Sequence, residues 1–331
     1  MNESVEKCVR NLKFGEVQCF RDLCIVPIVG RAEEGPEYLT MEEAMGSDLL
    51  SVREVSDSGS VPELMVMNGA EKPVLLLDGE ELKGAKQNRV LNATVLLAPQ
   101  SRTVIPVSCT EQGRWSYESP EFMYSDVVMD HKVRHRKMAS VSQSLSDCAR
   151  YLSNQGEVWD EIGKFSREAE VHSPTGAMRD VFEERKADYN ECLRSFPLLE
   201  GQTGLIAFIG DRPAGLDIVS RAGAFARLHG KLVRSYSSDT VFGRRREGKT
   251  VDENDCRAFV DRICAGTETG HPSAGLGEDC RYGSPHVCGS ALVYRDTCIH
   301  GAFFADNDGA GASESMSSYR RRRANRKSGN N

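Results

Sequence analysis

Residues Val74–Trp115 read VLLLDGEELKGAKQNRVLNATVLLAPQSRTVIPVSCTEQGRW. Apolar, β-branched runs carry a dense set of polar groups at their ends: Glu80, Glu81, Lys86, Gln87, Asn88, Arg89, Glu111, Arg114 and Trp115. Short apolar runs bounded by glycine, proline and asparagine predict strands. Side chains alternate faces along a strand. In Arg89–Leu97 the odd positions Leu91, Ala93, Val95 and Leu97 are all apolar, which makes the odd face the core face.

A hairpin with its loop near Lys83–Ala85 pairs Leu77 with Leu91, Gly79 with Arg89 and Glu81 with Gln87. A second turn at Pro99–Ser101 pairs Val95 with Ile105, Leu91 with Cys109 and Arg89 with Glu111. This register predicts one polar patch of Glu81, Gln87, Arg89 and Glu111, with Gly79 leaving room above the sheet. A one-residue slip reverses the faces, so Glu81 and Arg89 on opposite faces would remove the patch. Two readings stand. Two carboxylates can separate into acid and base, arginine can hold an oxyanion with two N–H groups, and Trp115 can stack on a base. Alternatively, a buried arginine needs carboxylates simply to exist there. An open pocket reaching Glu81 and Arg89 favours a site; enclosure with every group paired favours a structural lock.

Further strands are expected at Cys24–Val29, Leu49–Val55 and Glu63–Asn68, with a turn at Gly59-Ser60 and a capping box from Thr40 to Glu43. The middle reads as helical over Asp126–Asn154, Glu157–Glu170 and Thr175–Ser195, none with an interior proline after its first turn. Strands at Gly204–Ile209 and Ala214–Val219 follow, then helices at Arg221–Val241 and Asp252–Ala265. A hairpin of His286–Arg295 and Thr297–Phe304 closes the fold. The expected class is α+β: an antiparallel, sandwich-like N-terminal part over residues 1–124, a helical segment over 125–200, and a second, smaller β-containing part over 201–305. The Gly/Ser/Asn/Arg-rich residues 306–331 read as a disordered basic tail.

The 331 residues carry a net charge of -7. The six basic residues from Arg320 to Lys327 offset part of a deeper acidity, so removing them takes -7 to -13. An acidic body argues against nucleic acid as the partner; the tail and the basic stretch 131–137 are the places where it could bind. No run is long and apolar enough for a membrane span, and the charged start MNESVEKCVRNLKF lacks a signal-peptide core. Eleven cysteines include no CxxC pair. Cys19, Cys24, Cys148, Cys192, Cys256 and Cys264 read as reduced core thiols of a cytoplasmic protein.

His131 and His135 have metal-pair spacing, but their lysine and arginine neighbours repel a cation, so no metal is expected and the stretch reads as a solvated basic face. The glycine loops Gly201-Gln202-Thr203-Gly204 and Gly210-Asp211-Arg212 fit neither GxxxxGK[ST] nor GxGxxG, and no GxSxG is present. Asp211 and Asp217 read as a turn residue and a solvated strand end, or as members of the site. Cys109 reads as a packing thiol or a nucleophile.

DGEELKGAKQNRVL followed by PVSCTEQGRW resembles the ARPP family, a domain named for its association with ADP-ribosylglycohydrolases and rhodanese-phosphatase superfamily proteins and formerly a domain of unknown function. The resemblance runs from about Cys19 to Phe304, and its most specific block is GEE-x-x-G-x-x-Q-N-R. It implies NAD, ADP-ribose or nucleotide-phosphate metabolism. It points to Gly79, Glu80, Glu81, Gly84, Gln87, Arg89, Cys109, Glu111, Arg114 and Trp115. The expectation is a domain that binds a nucleotide-like small molecule through Gly79, Gln87, Arg89, Arg114 and Trp115. Glu81 and Glu111 would be the acid and base if a glycosidic or phosphate-linked group is hydrolysed or transferred. The rival expectation is a non-enzymatic regulatory or scaffold module.

Overall fold

The computed structural model describes residues 1–30, 35–56, 62–243 and 251–306. The expected Gly59-Ser60 turn and nearly all of the basic tail lie outside the described residues. The fold is α+β and built on three sheets. The largest has Leu23–Val29 next to Gly204–Ile209, then Arg212–Val219, Thr297–Ala305, Val287–Tyr294, Glu278–Gly283 and Thr267–Pro272, all antiparallel. An N-terminal strand thus pairs directly with strands from the last third of the chain.

Both faces of this sheet are buried, which explains the continuous apolar run Leu205–Phe208. Ile206 and Phe208 pack under the helices Glu3–Arg10 and Glu253–Cys264. Leu205 and Ala207 face the helix Ala222–Tyr236 and the small sheet formed by Leu39–Thr40, Val74–Leu76 and Val95–Leu97. The Thr40–Glu43 capping box is present at the start of the helix Met41–Gly46.

The third sheet runs Phe122–Val128, Glu80–Gly84, Arg89–Leu91, Ser101–Cys109, Glu63–Asn68, Leu50–Glu54. Its inner face carries Leu82, Leu91, Val107, Ile105, Leu64, Val66 and Val52. Each such side chain contributes about 1.5–3 kcal/mol on burial. Its other face places Val90 under a helical layer, against Val133, Ile162, Phe165, Met178 and Val181. The expected helical stripes are therefore core contacts.

The register differs from the expected one. Leu82 stands opposite Arg89 and Glu81 opposite Val90, a shift of three residues for Arg89's partner. An odd shift reverses the faces, so Glu81 and Arg89 point to opposite sides of the sheet. The cause is the turn. Gly84 and Ala85 both have positive φ, +107° and +42°, and the Asn88 side chain accepts the Gly84 N–H, so the chain reverses after Ala85 rather than around Gly84. Val74–Leu76 continues the same register with Val95–Leu97. Residues 74–97 are thus one long hairpin, broken near Asp78-Gly79 and split between two sheets. On the other side Arg89 pairs with Cys109 rather than Glu111, and Leu91 with Val107, an even shift that keeps the faces.

Other expectations need correction. Asp126–Val128 belongs to the strand Phe122–Val128, and the helix begins only at His131, capped by Asp130. The helix expected over Thr175–Ser195 is two, Met178–Glu184 and Lys186–Leu193. Residues 131–137 are not a solvated basic face: His131, Arg134 and Lys137 are buried, because they share the helix side that meets the sheets. Cys19 and Cys24 are not free thiols. They face each other across a tight hairpin and form a disulfide, with Cα atoms 4.2 Å apart. Cys148 is exposed rather than packed in a core, whereas Cys192 and Cys256 are buried.

Candidate functional site

The polar residues of the opening stretch divide into four environments. At the break of the long hairpin, Gly79 has φ +80°, and a Cβ there would approach the Arg134 Cδ at 3.0 Å. The room expected above Gly79 is filled by arginine. Arg134 donates from Nε to Asp78 at 3.1 Å and from both terminal nitrogens to Asp217 at 2.9 and 2.7 Å. Lys137 donates to Asp78 and to the Leu91 carbonyl. Burial pushes the Asp78 carboxyl up, but Lys137 and Arg134 outweigh it and hold it below the usual range. Asp217 also accepts from Tyr236 at 2.7 Å and lies 3.4 Å from the His300 Nε2. Asp217 is thus a paired member of a buried network, and Asp211 is in the turn between two strands of the large sheet.

Glu80, on the opposite side of its strand from Glu81, accepts from the Leu77 N–H at 2.6 Å and from Lys231 of the helix Ala222–Tyr236. Glu81 accepts from Thr110 at 3.3 Å and Ser125 at 2.9 Å, and lies 3.5 Å from Arg179. Burial pushes the Glu81 carboxyl up to about 7, against the pull of Ser125, Arg179 and Thr110. Arg179 stands on the helix Met178–Glu184 and also donates to Ser125 and Glu183. Both glutamates are enclosed and paired.

At the end of the strand Ser101–Cys109, Glu111 accepts from Arg114 Nε and Nη2, from Thr175 and from the Asn88 N–H, at 2.6 to 3.2 Å. Burial opposes ionisation here, but these four hydrogen bonds prevail and hold the carboxyl low. Arg114 also reaches the Ala85 carbonyl at 2.8 Å, which ties the hairpin turn to the loop that follows Glu111. Glu81 and Glu111 share no hydrogen-bond partner, so they do not form one carboxylate pair.

The fourth environment holds Arg89. Its Nη1 donates to Gln87 Oε1 at 2.8 Å, and Gln87 in turn donates to the Glu111 carbonyl at 2.8 Å. The Cys109 thiol donates to Gln87 Oε1 at 3.1 Å. Burial pushes that thiol up, with Arg89 opposing, so it is a poor nucleophile at neutral pH. Arg89 is fully buried, yet its Nε and Nη2 have no hydrogen-bond partner among the described residues. Its guanidinium lies 5.7 Å from the ring of Trp115, which is 50% exposed. Lys86 lies 5.5 Å from the same ring and 5.0 Å from that of Tyr117, which is 52% exposed. This is the one environment where a deeply buried group keeps free donors beneath exposed aromatic rings.

Glu54 was missed by sequence reasoning. It ends the strand Leu50–Glu54 on the inner face, three strands from Arg89, and in sequence it looks like any solvated strand-end glutamate. Arg134 and Lys137 stood out in sequence only as part of a basic stretch, and Arg179 gave no signal, because only packing of the helices onto the sheets buries the first two and brings Arg179 to Glu81. His135 stacks on Phe304 at 5.9 Å, and His131 sits beside Asp130 and Tyr236, so the two serve different contacts. A groove of about 500 Å³ runs along the helix Gln155–Glu168, lined by Gln112, Trp159, Lys164 and Arg167 among others, and no predicted site residue borders it.

Comparison with curated proteins returns no match. Comparison with solved structures returns none either. The family model described as the ARG and Rhodanese-Phosphatase-superfamily-associated Protein domain matches residues 11–304. That span includes every strand of the third sheet and all four environments. The chain therefore belongs to the ARG and Rhodanese-Phosphatase-superfamily-associated Protein domain family.

Proposed function

We propose that this protein binds an ADP-ribose- or nucleotide-like small molecule at the Arg89 end of the third sheet. The observation that carries the reading is the pair of unpartnered Arg89 N–H groups beneath Trp115. A buried donor without a partner costs about 1–3 kcal/mol, and a ligand oxygen removes that cost. Trp115 and Tyr117 offer exposed ring faces for a base, with Lys86 alongside to attract an anion. The family's association with ADP-ribosylglycohydrolases points to the same ligand class.

The reading is of binding rather than of acid–base catalysis. Glu81 is sealed beneath the helices, and Glu111 is saturated by four donors. The structural reading applies to those two residues and to Glu80; Arg89 departs from it because it is enclosed but not fully paired. No helix among the described residues is long and apolar enough to cross a membrane. Free thiols outnumber the bonded pair, and we place the protein in the cytoplasm.

The test is thermal unfolding with ADP-ribose, NAD, AMP and inorganic phosphate, on the native chain and on Trp115→Ala. A ligand at a hundred times its Kd stabilises by about 2.7 kcal/mol. A rise in Tm with a nucleotide, reduced in Trp115→Ala, supports the reading. No rise with any of the four at millimolar concentration overturns it.

A further inference from the structure

The Arg89 Nη2 and the Glu54 Oε1 are 4.0 Å apart, with side-chain exposures of 0% and 4%. At that distance they are an ion pair but not a hydrogen bond. Neither Glu54 oxygen has a hydrogen-bond partner among the described residues, and neither does Arg89 Nε or Nη2. Other buried ion pairs in this protein are closed: Arg134–Asp217 at 2.7 Å and Arg281–Asp279 at 2.6 Å. A pair that served only to neutralise a buried charge would close in the same way. Both residues stand on the inner face of one sheet, on strands that fix their spacing.

The open pair presents two donors on one side and two acceptors on the other. A single oxygen that accepts from Arg89 and donates to Glu54 fits a 4.0 Å separation, with a normal hydrogen bond to each. Only a hydroxyl or a water does both. Two neighbouring hydroxyls use all four unpartnered atoms: each accepts one N–H of the guanidinium fork and gives its proton to one carboxylate oxygen. A phosphate oxygen satisfies Arg89 but repels Glu54. A base edge supplies donors and acceptors but no adjacent pair that is both.

We infer that Glu54 and Arg89 form a clamp for a vicinal diol, so that the ligand class is a ribosyl compound with both ring hydroxyls free. The inference rests on the nucleotide-like reading and narrows it to the sugar. Glu54 becomes a specificity residue, Arg89 is shared between the diol and Gln87, and Trp115 lies over the ring side of the ligand.

The test measures Kd by isothermal titration for AMP, 2′-deoxy-AMP, ribose 5-phosphate and 2-deoxyribose 5-phosphate, on the native chain, Glu54→Gln and Trp115→Ala. The expected result is roughly 10- to 100-fold weaker binding of each deoxy compound, because its absence leaves buried groups unpaired. Glu54→Gln should shrink that ratio to a few-fold. Equal binding of AMP and 2′-deoxy-AMP, weakened together by Trp115→Ala, overturns the clamp and leaves the nucleotide reading standing. Discrimination between the two sugar phosphates, with no gain from the adenine and no effect of Trp115→Ala, supports the clamp and overturns the nucleotide reading. Binding of none of the four overturns both. A circular dichroism melt of Glu54→Gln, expected to match the native chain or exceed it, separates lost recognition from lost fold.

Discussion

Arg134 holds Asp217 through both terminal nitrogens, at 2.9 and 2.7 Å, and both side chains are buried. The pair joins the helix His131–Cys148 to the strand Arg212–Val219, and through Asp78 it reaches the break in the long hairpin. It therefore ties the site-bearing sheet to the large sheet. Removing one partner of such a pair leaves a buried charge uncompensated, at about 3–5 kcal/mol. Arg134→Met should lower stability by that amount. Denaturant unfolding measures it, and a loss under 1 kcal/mol would show that the pair is not a tie.

Glu81 makes a pH-dependent prediction. Its carboxyl in the folded chain titrates near 7, above the 4.5 of a free glutamate. Between those values the folded state holds a proton that the unfolded state has lost, so stability falls as pH rises through this window. Glu81→Gln removes the titration. The variant should gain on the order of 2–3 kcal/mol relative to the native chain on going from pH 4 to pH 8. Parallel urea midpoints for the two proteins across that range would refute the shift.

Glu111 responds with the opposite sign. Its folded carboxyl is held low, so the stability it contributes is present above the unfolded value and is lost as pH falls through the folded one. Arg114→Ala should weaken this contribution and make the turn at Ala85 easier to open, since Arg114 bonds both Glu111 and the Ala85 carbonyl. Hydrogen exchange should then quicken at the Gly84 and Ala85 amides. Unchanged exchange there would remove Arg114 as the tie.

Gly84 tests the turn that sets the register. A Cβ there would meet the Ser119 Oγ at 2.5 Å, on a backbone with φ +107°. Gly84→Ala should cost about 1–3 kcal/mol. Adding Ser119→Ala should return the steric share but not the backbone share, which a double-mutant cycle separates. Full recovery in the double variant would show that φ carries no strain.

Trp115 should separate fold from function. As a half-exposed side chain it contributes little to stability, so Trp115→Ala should stay within about 0.5 kcal/mol of the native chain. Its loss as a stacking face should weaken a bound base by roughly 1–3 kcal/mol. Equal nucleotide affinity in the variant would place the base elsewhere.

Much of the fold was legible in local sequence. Apolar runs and their punctuation located the main strands of the three sheets, and Thr40 with Glu43 located a helix start. Several short elements were not legible, among them Lys13–Phe14, Leu39–Thr40 and Thr267–Pro272. Their side chains carry little pattern, and pairing with distant strands defines them. The strand Phe122–Val128 was blurred into the helix that follows because an apolar run of that length reads either way.

The amino-acid sequence by itself determined that this stretch is β-structure with an unusual load of charged and amide groups, and it carried the family's motif. Only the tertiary structure decided which of those groups meet. Alternation along a strand fixes relative faces within one strand, but the register between strands depends on where the chain turns. Here a positive-φ Gly84-Ala85 turn moved the pairing by an odd number of residues. That put Glu81 under the helices, left Arg89 on the inner face, and brought Glu54 opposite it from three strands away.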